Sequence, residues 1–433
     1  MNPPLHTPAE LQSLLLDLIS PARPVDQARL DALGEPQWQN ILRMARQHRL
    51  GPLLHWQLGR AHAHLQCPES VKAQLLASYR QSALRNLMLQ RELLLVHGIL
   101  HDAGIPYVAL KGAFLAVHAY PQPALRPMRD LDILVSEDQV LQAFQVLLDG
   151  GLTRNKSYEG SPEAWAQLYK HLPPLRSPSG SLNVELHRRV FRPDKDHGAA
   201  AELSLDPGFW QRALALPLGQ ASIRYEPPTD LLLHLIVHAA YDHEFDNGPL
   251  LLSDLAFLLD RHPIDWPLFW SMAERGGHSR GCWLALKLTE RYWGEQPIAW
   301  PDNPALPDLE EGDLLARAAQ LMLRDFDARE NVSLHATIDA KPTLAAKAAH
   351  VCSRLFAPRT LVAAQYAVRP DDWRIYGYYP VRWWRLLSQR LPGFLHASKA
   401  DGLQGEVLEI RALRHWLRQE EPHSASSRPS PGP

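Results

Sequence analysis

Apolar residues recur at helical spacing through the first hundred residues of the chain. Residues 7–10, Thr-Pro-Ala-Glu, have the form of a capping box with proline at the first helical position, and leucines then follow every three or four residues. A longer pattern predicts a helix from Val71 to Ala103, which Gly104 is placed to end. These patterns predict an N-terminal helical region over residues 1–103.

The pattern then changes to short apolar runs that are typical of strands. Residues 105–110 form such a run, as expected of a buried strand, and residues 128–135 have strand character. Residues 181–190 alternate strictly between apolar and polar positions. Strands separated by helical stretches predict an α/β or α+β unit, and we place it at residues 104–226.

Short helices are expected between these strands, and longer ones after them. One helix is predicted near residues 113–120, and a capping box of Ser136 and Gln139 is predicted to open another. Residues 227–418 contain several stretches with helical spacing and are predicted to form a C-terminal helical region. Residues 419–433 are polar and proline-rich, which predicts a disordered tail. The predicted fold class is α+β, with a small mixed sheet flanked by helical segments on both sides.

Composition changes this picture little. Hydrophobic residues make up 45% of the chain and charged residues 21%, which is ordinary for a globular protein. A net charge of −2 predicts no dominant attraction of the whole surface to nucleic acid or anionic membranes. Cys67, Cys282 and Cys352 are far apart and form no CxxC pair, which fits a reducing compartment. Without signal-peptide features or an apolar stretch of the ~18–20 residues that a membrane helix needs, we expect a cytoplasmic protein with no transmembrane segment.

Two aspartates, one residue apart, interrupt the second predicted strand. Asp130 and Asp132 flank Leu131, and residues i and i+2 of a strand point to the same face. Carboxylates held this close repel each other, by about 1 kcal/mol at 4 Å in water and several-fold more near a protein interior. A divalent cation such as Mg²⁺, which prefers oxygen ligands, compensates that repulsion best. Alternatively, the acids lie on a solvated edge strand and pair with Arg126 and Arg129.

A third acid repeats the pattern. Glu185 lies between two apolar residues of its predicted strand, so it projects from the face opposite the core. If that strand lies beside the one carrying Asp130 and Asp132, three carboxylates converge on one point. Three acids and two metal ions ~3.5–4 Å apart form a common arrangement for in-line attack at phosphorus. We therefore expect two Mg²⁺ (or Mn²⁺) ions at this position.

At this point the residues resemble a known family. The strand-borne D-x-D, the glycine turn after a first strand and the acid on a later strand are similar to the polymerase-beta-like nucleotidyltransferase superfamily. Within it, YVALKGAFLAVHAYPQPALRPMRDLDILV followed by VELH resembles a large, poorly characterised bacterial nucleotidyltransferase group, some members of which lie among exopolysaccharide genes. The resemblance covers roughly residues 85–270, and residues 354–391 also resemble the C-terminal part of that group.

The resemblance implies an activity and a set of roles. The reaction would move a nucleoside monophosphate from an NTP, such as ATP, to a hydroxyl or amine acceptor with release of pyrophosphate. Asp130 and Asp132 would bind catalytic Mg²⁺, and Glu185 would bind the second metal or activate the acceptor. The acceptor, an unknown small molecule, sugar or protein, stays open. A rival hypothesis is a catalytically silent binding module that keeps the fold.

The glycine turn departs from the superfamily pattern. The resemblance places Gly112 where backbone amides approach the triphosphate, and a glycine there allows close backbone approach. Serine usually follows this glycine, but here Ala113 follows and Lys111 precedes. We hypothesise that Lys111 supplies the lost phosphate contact as a point charge, the alternative being a solvated loop residue. The long proline-rich insert before Asp130 either carries Arg126 to the phosphates or forms a surface loop.

Histidines supply further candidates. His187 shares a face with the third acid and either contacts the acceptor or a phosphate, or is structural. His234 and His238 are four residues apart on a predicted helix but lack the glutamate of a metalloprotease. With His243 and Asp254 they form either a polar wall facing the acceptor or part of the packed structure. A phosphohydrolase built on His234, His238 and Asp254 would require these side chains to meet in one pocket.

Residues 373–390 combine basic and aromatic side chains. Arg374, Arg382, Arg385 and Arg390 occur without an acid between them and are interleaved with tryptophan and tyrosine. Such a stretch could contact nucleic acid, a membrane surface or a lipid-linked acceptor. The alternative is a terminal helix whose aromatic rings pack on the body of the protein.

Overall fold

A computed structural model of the chain describes residues 7–158, 160–180, 182–192, 207–301, 311–324, 355–366, 368–385 and 403–418, together with positions 343, 349, 352–353 and 388. Within these ranges the fold is α+β, as predicted, with helical segments on both sides of a seven-stranded mixed sheet. No helix in these ranges is both long and apolar enough to cross a membrane.

The helices before the sheet are α1 (Pro8–Ile19), α2 (Gln27–Asp31), α3 (Glu35–Gln47), α4 (Gly51–Leu58) and α5 (Glu69–Asp102). The predicted capping box at the start of α1 is present, because Thr7 and Glu10 exchange side-chain to backbone hydrogen bonds. The predicted long helix corresponds to α5 within two residues at each end. The N-terminal segment is therefore helical, as its apolar spacing indicates.

The strands are β1 (Tyr107–Ala109), β2 (Asp130–Val135), β3 (Thr153–Arg154), β4 (Leu175–Arg176), β5 (Asn183–His187), β6 (Leu214–Leu218) and β7 (Ala221–Tyr225). Their order across the sheet is β3-β4-β5-β2-β1-β7-β6. β2 pairs in parallel with β5 and antiparallel with β1, and β1 pairs in parallel with β7. This order places β2 in the interior of the sheet with β5 directly beside it.

Short helices connect the strands. After β1 the chain enters α6 (Gly112–Phe114), which continues as a π-helix over Leu115–Ala119 and is followed by a 3-10 turn at Pro123–Leu125. The later helices between strands are α7 (Val140–Asp149), α8 (Pro162–Leu168) and the helix Pro207–Arg212. The capping box predicted at Ser136 and Gln139 is wrong, because a turn occupies residues 137–139 and α7 starts at Val140 without a side-chain cap.

The described residues after the sheet are mainly helical. Its elements are the helices Pro228–Val237, Leu250–Arg261, Trp266–Arg275, Ser279–Trp293, Glu311–Met322, Arg359–Ala363, Tyr378–Arg385 and Leu403–Arg418, with a π-helix at His238–Asp242 and a 3-10 helix at Trp373–Gly377. The predicted disordered tail at 419–433 and most of residues 325–354 lie outside the described residues.

One apolar core joins these segments. Buried side chains from the N-terminal helices, the strands and the helices up to residue 417 belong to a single contiguous cluster. A second, smaller cluster lies between α8 and residues 357–375. Helices that precede the sheet in the chain and helices that follow it thus share one core with its strands. This packing fixes the position of β2, the strand that carries the aspartates.

Candidate active site

The three predicted metal-binding acids lie on one face of the sheet. β2 and β5 pair in parallel with Asp132 opposite Glu185, and alternate residues of a strand share a face. Asp130, Asp132 and Glu185 therefore project to the same side, while Leu131 and Val184 are fully buried on the other. Because β2 is an interior strand, the edge-strand alternative is wrong.

The tightest cluster contains a histidine in addition to two of the acids. Asp132, Glu185 and His187 each place one potential ligand atom within 4.8 Å of the others. The Nε2 atom of His187 lies 3.0 Å from Oδ1 of Asp132 and 3.8 Å from Oε2 of Glu185. Asp130 is outside this cluster, and its carboxylate makes no hydrogen bond or ion pair with another described residue. His187 is thus part of the acidic centre.

Lys111 stands at the turn after β1, and its side chain reaches into the acidic centre. Its Nζ lies 3.3 Å from Oδ2 of Asp132, and its backbone N–H donates to Oε2 of Glu226 at 3.1 Å. The φ angle of Lys111 is +44°, in the region that favours glycine, which costs a non-glycine residue of order 1–3 kcal/mol. The turn therefore holds Lys111 in a strained backbone conformation, with its amine against a carboxylate.

Gly112 leaves room for an arginine beside that turn. A Cβ atom at Gly112 would lie 2.6 Å from Nη1 of Arg126 and 3.0 Å from Cε of Met128. Arg126 donates from Nε and Nη2 to the two carboxylate oxygens of Asp254, each at 2.9 Å. Its Nη1 makes neither bond and faces Gly112. The insert before Asp130 is therefore more than a surface loop, because it brings Arg126 to the turn.

The comparison with protein families agrees with this geometry. The sequence model of a family described as an uncharacterised nucleotidyltransferase matches residues 34–294, which is more than half of the chain. The chain belongs to this family. A search of curated proteins finds no match to it. The match includes both strands of the acidic centre and extends from α3 through the helix Ser279–Trp293.

The three carboxylates of the acidic centre have different pKa values. Burial and the negative charges of Asp132 and Glu185 raise the pKa of Asp130 to about 6. Burial alone would raise the pKa of Asp132 as well, but Lys111 and the hydrogen bond from His187 hold that pKa well below its usual range. The uncompensated repulsion therefore falls on Asp130, which has no cationic partner within bonding distance among the described residues.

The pKa values of the two basic side chains of the site, Lys111 and His187, are both raised. Burial alone would lower the pKa of Lys111, but the nearby Asp132 and Asp130 carboxylates outweigh it and the pKa is raised. The pKa of His187 is also raised against the effect of burial, by its hydrogen bonds to Asp132 and Glu185. Lys111 therefore keeps its positive charge within the acidic centre at neutral pH, and the same carboxylates favour protonation of His187.

A buried acid that the sequence analysis did not identify binds the backbone of the turn that carries Lys111. Glu226 follows β7 and is fully buried. One of its carboxylate oxygens accepts the Lys111 N–H, and the other lies 2.8 Å from Nδ1 of His234. His234 is therefore a structural partner of the turn, and its Nε2 is buried without a hydrogen bond to any described residue.

The other predicted histidines form a separate polar group. Nδ1 of His238 lies 3.3 Å from Asp242, which also forms an ion pair with Lys170 at 2.7 Å. The rings of His238 and His243 are 4.5 Å apart, and burial lowers the pKa of His243 to about 4. Burial likewise lowers the pKa of His238 well below its usual value, and Lys111 adds to this effect.

Asp254 does not join that histidine group. It binds Arg126 and accepts a hydrogen bond from Tyr120 at 2.6 Å. Among the described residues, His234, His238 and Asp254 thus have separate partners and form no metal-binding cluster. The condition for a phosphohydrolase built on these three residues, that they meet in one pocket, is not met.

Two further residues near the acids carried no sequence signal. His171 bridges to His187 next to β5, and its Nε2 lies 3.9 Å from Oε2 of Glu185. Arg49, in the turn between α3 and α4, is close enough to Asp130 for each charge to shift the other's pKa. Arg129 is exposed and has no partner among the described residues. Neither His171 nor Arg49 belongs to a local motif, so only the fold reveals them.

The basic and aromatic stretch divides into packed and exposed parts. Arg382 is buried and hydrogen-bonds to Gln365, and Trp383 donates to the Leu355 carbonyl at 2.8 Å. Trp373 and Trp384 are 78% and 72% exposed. Arg390 lies outside the described residues. The packing alternative therefore holds for part of this stretch.

The residues present suit a divalent cation. Three carboxylates lie on one face, Asp130 has no partner in the described part of the chain, and the donor atoms are mainly oxygen. Oxygen ligands of this kind are those that Mg²⁺ and Mn²⁺ prefer. Lys111 offers one positive charge to Asp132, which leaves the charge on Asp130 uncompensated.

Proposed function

We propose that the protein is a metal-dependent nucleotidyltransferase that moves a nucleoside monophosphate from an NTP to a hydroxyl or amine acceptor and releases pyrophosphate. The supporting observation is the register of two neighbouring parallel strands, which sets Asp132 directly beside Glu185 on the face that also carries Asp130. Family membership supports the reaction class. The acceptor is a small molecule, a sugar or a protein.

Asp130, Asp132 and Glu185 would hold the metal ions, two Mg²⁺ or Mn²⁺. When bound, such ions neutralise the phosphate charge and orient the attacking and leaving oxygens. The protein's own contribution is to fix the three carboxylates at set positions before the substrate arrives, which favours the transition state without a reorganisation cost.

The other side chains orient the substrate and the acids. We propose that Gly112 and Nη1 of Arg126 line the path of the phosphates, because a Cβ atom at position 112 would occupy that space. Lys111 is bound to Asp132, and its amine would be available to a phosphate oxygen once that carboxylate held a metal ion. Arg129 is exposed and directly precedes Asp130 in the chain, so it offers a further positive charge. His187 holds Asp132 and Glu185 in their rotamers through Nε2.

The first prediction concerns the aspartates. Asp132→Asn and Asp130→Asn should each abolish turnover, because a neutral amide replaces a metal-binding carboxylate. Asp130→Asn should leave the fold intact and, because it removes like-charge repulsion, should raise the free energy of unfolding of the metal-free protein by up to ~3 kcal/mol at pH 7.5. The measurement is release of pyrophosphate and of a labelled adduct from each labelled NTP, with Mg²⁺ or Mn²⁺ and host lysate as the source of acceptor.

Asp138→Asn is the matched control, because Asp138 is an exposed acid shortly after β2. It should turn over like the wild type. Full turnover by Asp132→Asn would overturn the proposal. Metal-dependent binding of NTP by the wild type, with no product from any NTP, would instead favour the silent binding module.

A further inference from the structure

Arg49 has a backbone conformation that usually belongs to glycine. It follows the end of α3 and precedes α4, and its φ angle is +60°. The N–H of Leu50 donates to the Ala45 carbonyl at 2.7 Å, which closes the end of the helix in the manner of a Schellman motif. A long cationic side chain at this position is strained where glycine would be relaxed, and strained residues of this kind cluster at functional sites.

The guanidinium of Arg49 lacks a protein partner in the described part of the chain. No hydrogen bond or ion pair joins it to another described residue, and its Nε is buried. Asp130 and Asp254 act on its charge without bonding to it, and a cation that is partly withdrawn from water without a bonded anion is costly. Packing alone therefore does not account for an arginine at this position.

The turn that carries Arg49 is close to the phosphate end of the proposed nucleotide site. α4, which starts two residues after Arg49, packs against Pro123–Leu125, the turn that leads directly into Arg126. Burial and the positive charges of Arg129 and Arg126 lower the pKa of Arg49 to about 10, and Asp130 acts in the opposite direction. Asp254 already binds Arg126, whereas Arg49 and Arg129 have no bonded anion among the described residues.

We propose that Arg49 binds the β- and γ-phosphates of the nucleotide, so that the N-terminal helical segment completes the nucleotide site. This inference rests on the proposed nucleotidyltransferase function and names the residue that receives the leaving pyrophosphate. The planar guanidinium pairs with two phosphate oxygens at once. The packing of α4 against the turn that leads into Arg126 directs Arg49 to the phosphate end, and this arginine stabilises the negative charge that develops there as the bond to the transferred group breaks.

The test measures binding of Mg²⁺·tripolyphosphate to the full-length protein by titration calorimetry. This probe has no nucleoside and needs no acceptor, so the result does not depend on turnover. Arg49→Gln should bind it about 10- to 100-fold more weakly, the range expected when hydrogen bonds to a charged group are lost. Arg49→Lys keeps the positive charge but lacks the planar guanidinium and its paired N–H donors. Its affinity for tripolyphosphate should therefore lie between those of the wild type and Arg49→Gln.

Arg43→Gln is the control, because Arg43 is an exposed arginine on α3 that bonds to Asn40 and Gln47. It should bind tripolyphosphate like the wild type. Arg49→Gly removes both the strain and the side chain, so it should melt no lower than the wild type and still bind weakly. Equal binding by wild type and Arg49→Gln would overturn this inference alone. If the wild type does not bind tripolyphosphate, the inference about Arg49 is overturned as well. The proposed function is tested separately, by the loss of turnover in Asp132→Asn.

Discussion

Glu226 and His234 form a buried pair whose members are both neutral at pH 7. Burial raises the pKa of Glu226 to about 8, and burial lowers the pKa of His234 well below its usual value. Protonated on one oxygen, the carboxyl donates to Nδ1 of His234 and accepts the Lys111 N–H on the other oxygen. The pair therefore anchors the strained turn without adding a negative charge to the acidic centre.

This pair predicts how stability depends on pH. The folded-state pKa of Glu226, about 8, exceeds its ordinary value of 4.5, so stability is lost as pH rises through that interval. His234 acts oppositely below its ordinary pKa of 6.5, because it is kept neutral in the fold. Between pH 6.5 and 8 only Glu226 of this pair contributes, and its contribution to the free energy of unfolding should fall by ~2 kcal/mol.

Glu226→Gln should remove this pH dependence. The amide can accept from Lys111 and donate to His234, so it reproduces both hydrogen bonds without a titrating proton. Denaturant unfolding at pH 6.5 and at pH 8 should show a smaller decline for the variant than for the wild type. Glu226→Ala leaves two buried polar groups unpaired and should be less stable at both values. An equal decline in wild type and Glu226→Gln would contradict the assignment of the proton.

At this scale the sequence could reveal residues that share a short motif. Asp130, Asp132 and Glu185 could be assigned to their faces because strand side chains alternate. Glu226 and Arg49 could not be found in this way, because each reaches the site from a distant segment and its neighbours in sequence form no chemical pattern. Burial of Glu226 in particular is a property of the packed structure.

For the strands, too, the sequence predicted local features but not the contacts between distant segments. Alternation in β2 and β5 fixed which side chains share a face, but it did not determine that the two strands pair in parallel or in which register. The β6–β7 hairpin was not predicted. Pro217 lies within β6, where proline weakens the strand signal, and the observed position at the edge of the sheet is one that tolerates it.

A close backbone contact attaches the C-terminal segment to α8. The N–H of Ser161 donates to the Ala363 carbonyl at 2.9 Å, and Trp165 donates from its indole to the Ala364 carbonyl at 2.6 Å. A Cβ atom at Gly160 would collide with that same Ala364 carbonyl. Glycine at position 160 is therefore required by the approach of the two backbones.

Gly160→Ala should loosen this attachment and leave the acidic centre in place. A methyl group forced against a backbone carbonyl displaces the segment around Ala364, at a cost of about 1–3 kcal/mol. Limited trypsin digestion followed by mass spectrometry should show faster cleavage after Arg359 and Arg374, while the region around β2 stays protected. Gly98→Ala is the control, because nothing lies within 4 Å of a Cβ atom there. Within α5, near its C-terminal end, that change should stabilise by about 0.5–1 kcal/mol. Unchanged cleavage in Gly160→Ala would contradict the contact.

The molecule as a whole is organised around its larger apolar core. Buried side chains of α1, β2 and the helix Leu250–Arg261 belong to this one cluster. Hydrogen bonds also cross it, for example from Gln12 in α1 to the Leu323 carbonyl at 3.2 Å. The change of periodicity after residue 103 predicted a change from helices to strands, but an apolar pattern does not specify which surface covers it. The association of the N-terminal helices with the C-terminal ones could therefore not be predicted.

This arrangement predicts two cooperative units of unequal stability. Peptides from α1, β2 and the helix Leu250–Arg261 should lose protection from hydrogen exchange at one denaturant concentration, because opening any of them exposes the shared core. Peptides from residues 355–385 should open at a lower concentration, since the cluster between α8 and this segment buries few side chains, several of them alanines. Native-state hydrogen exchange with mass spectrometry measures both. Opening of α1 well before β2 would show that the N-terminal helices form an independent unit, and it would also weaken the inference that Arg49 is held in a fixed position beside Asp130.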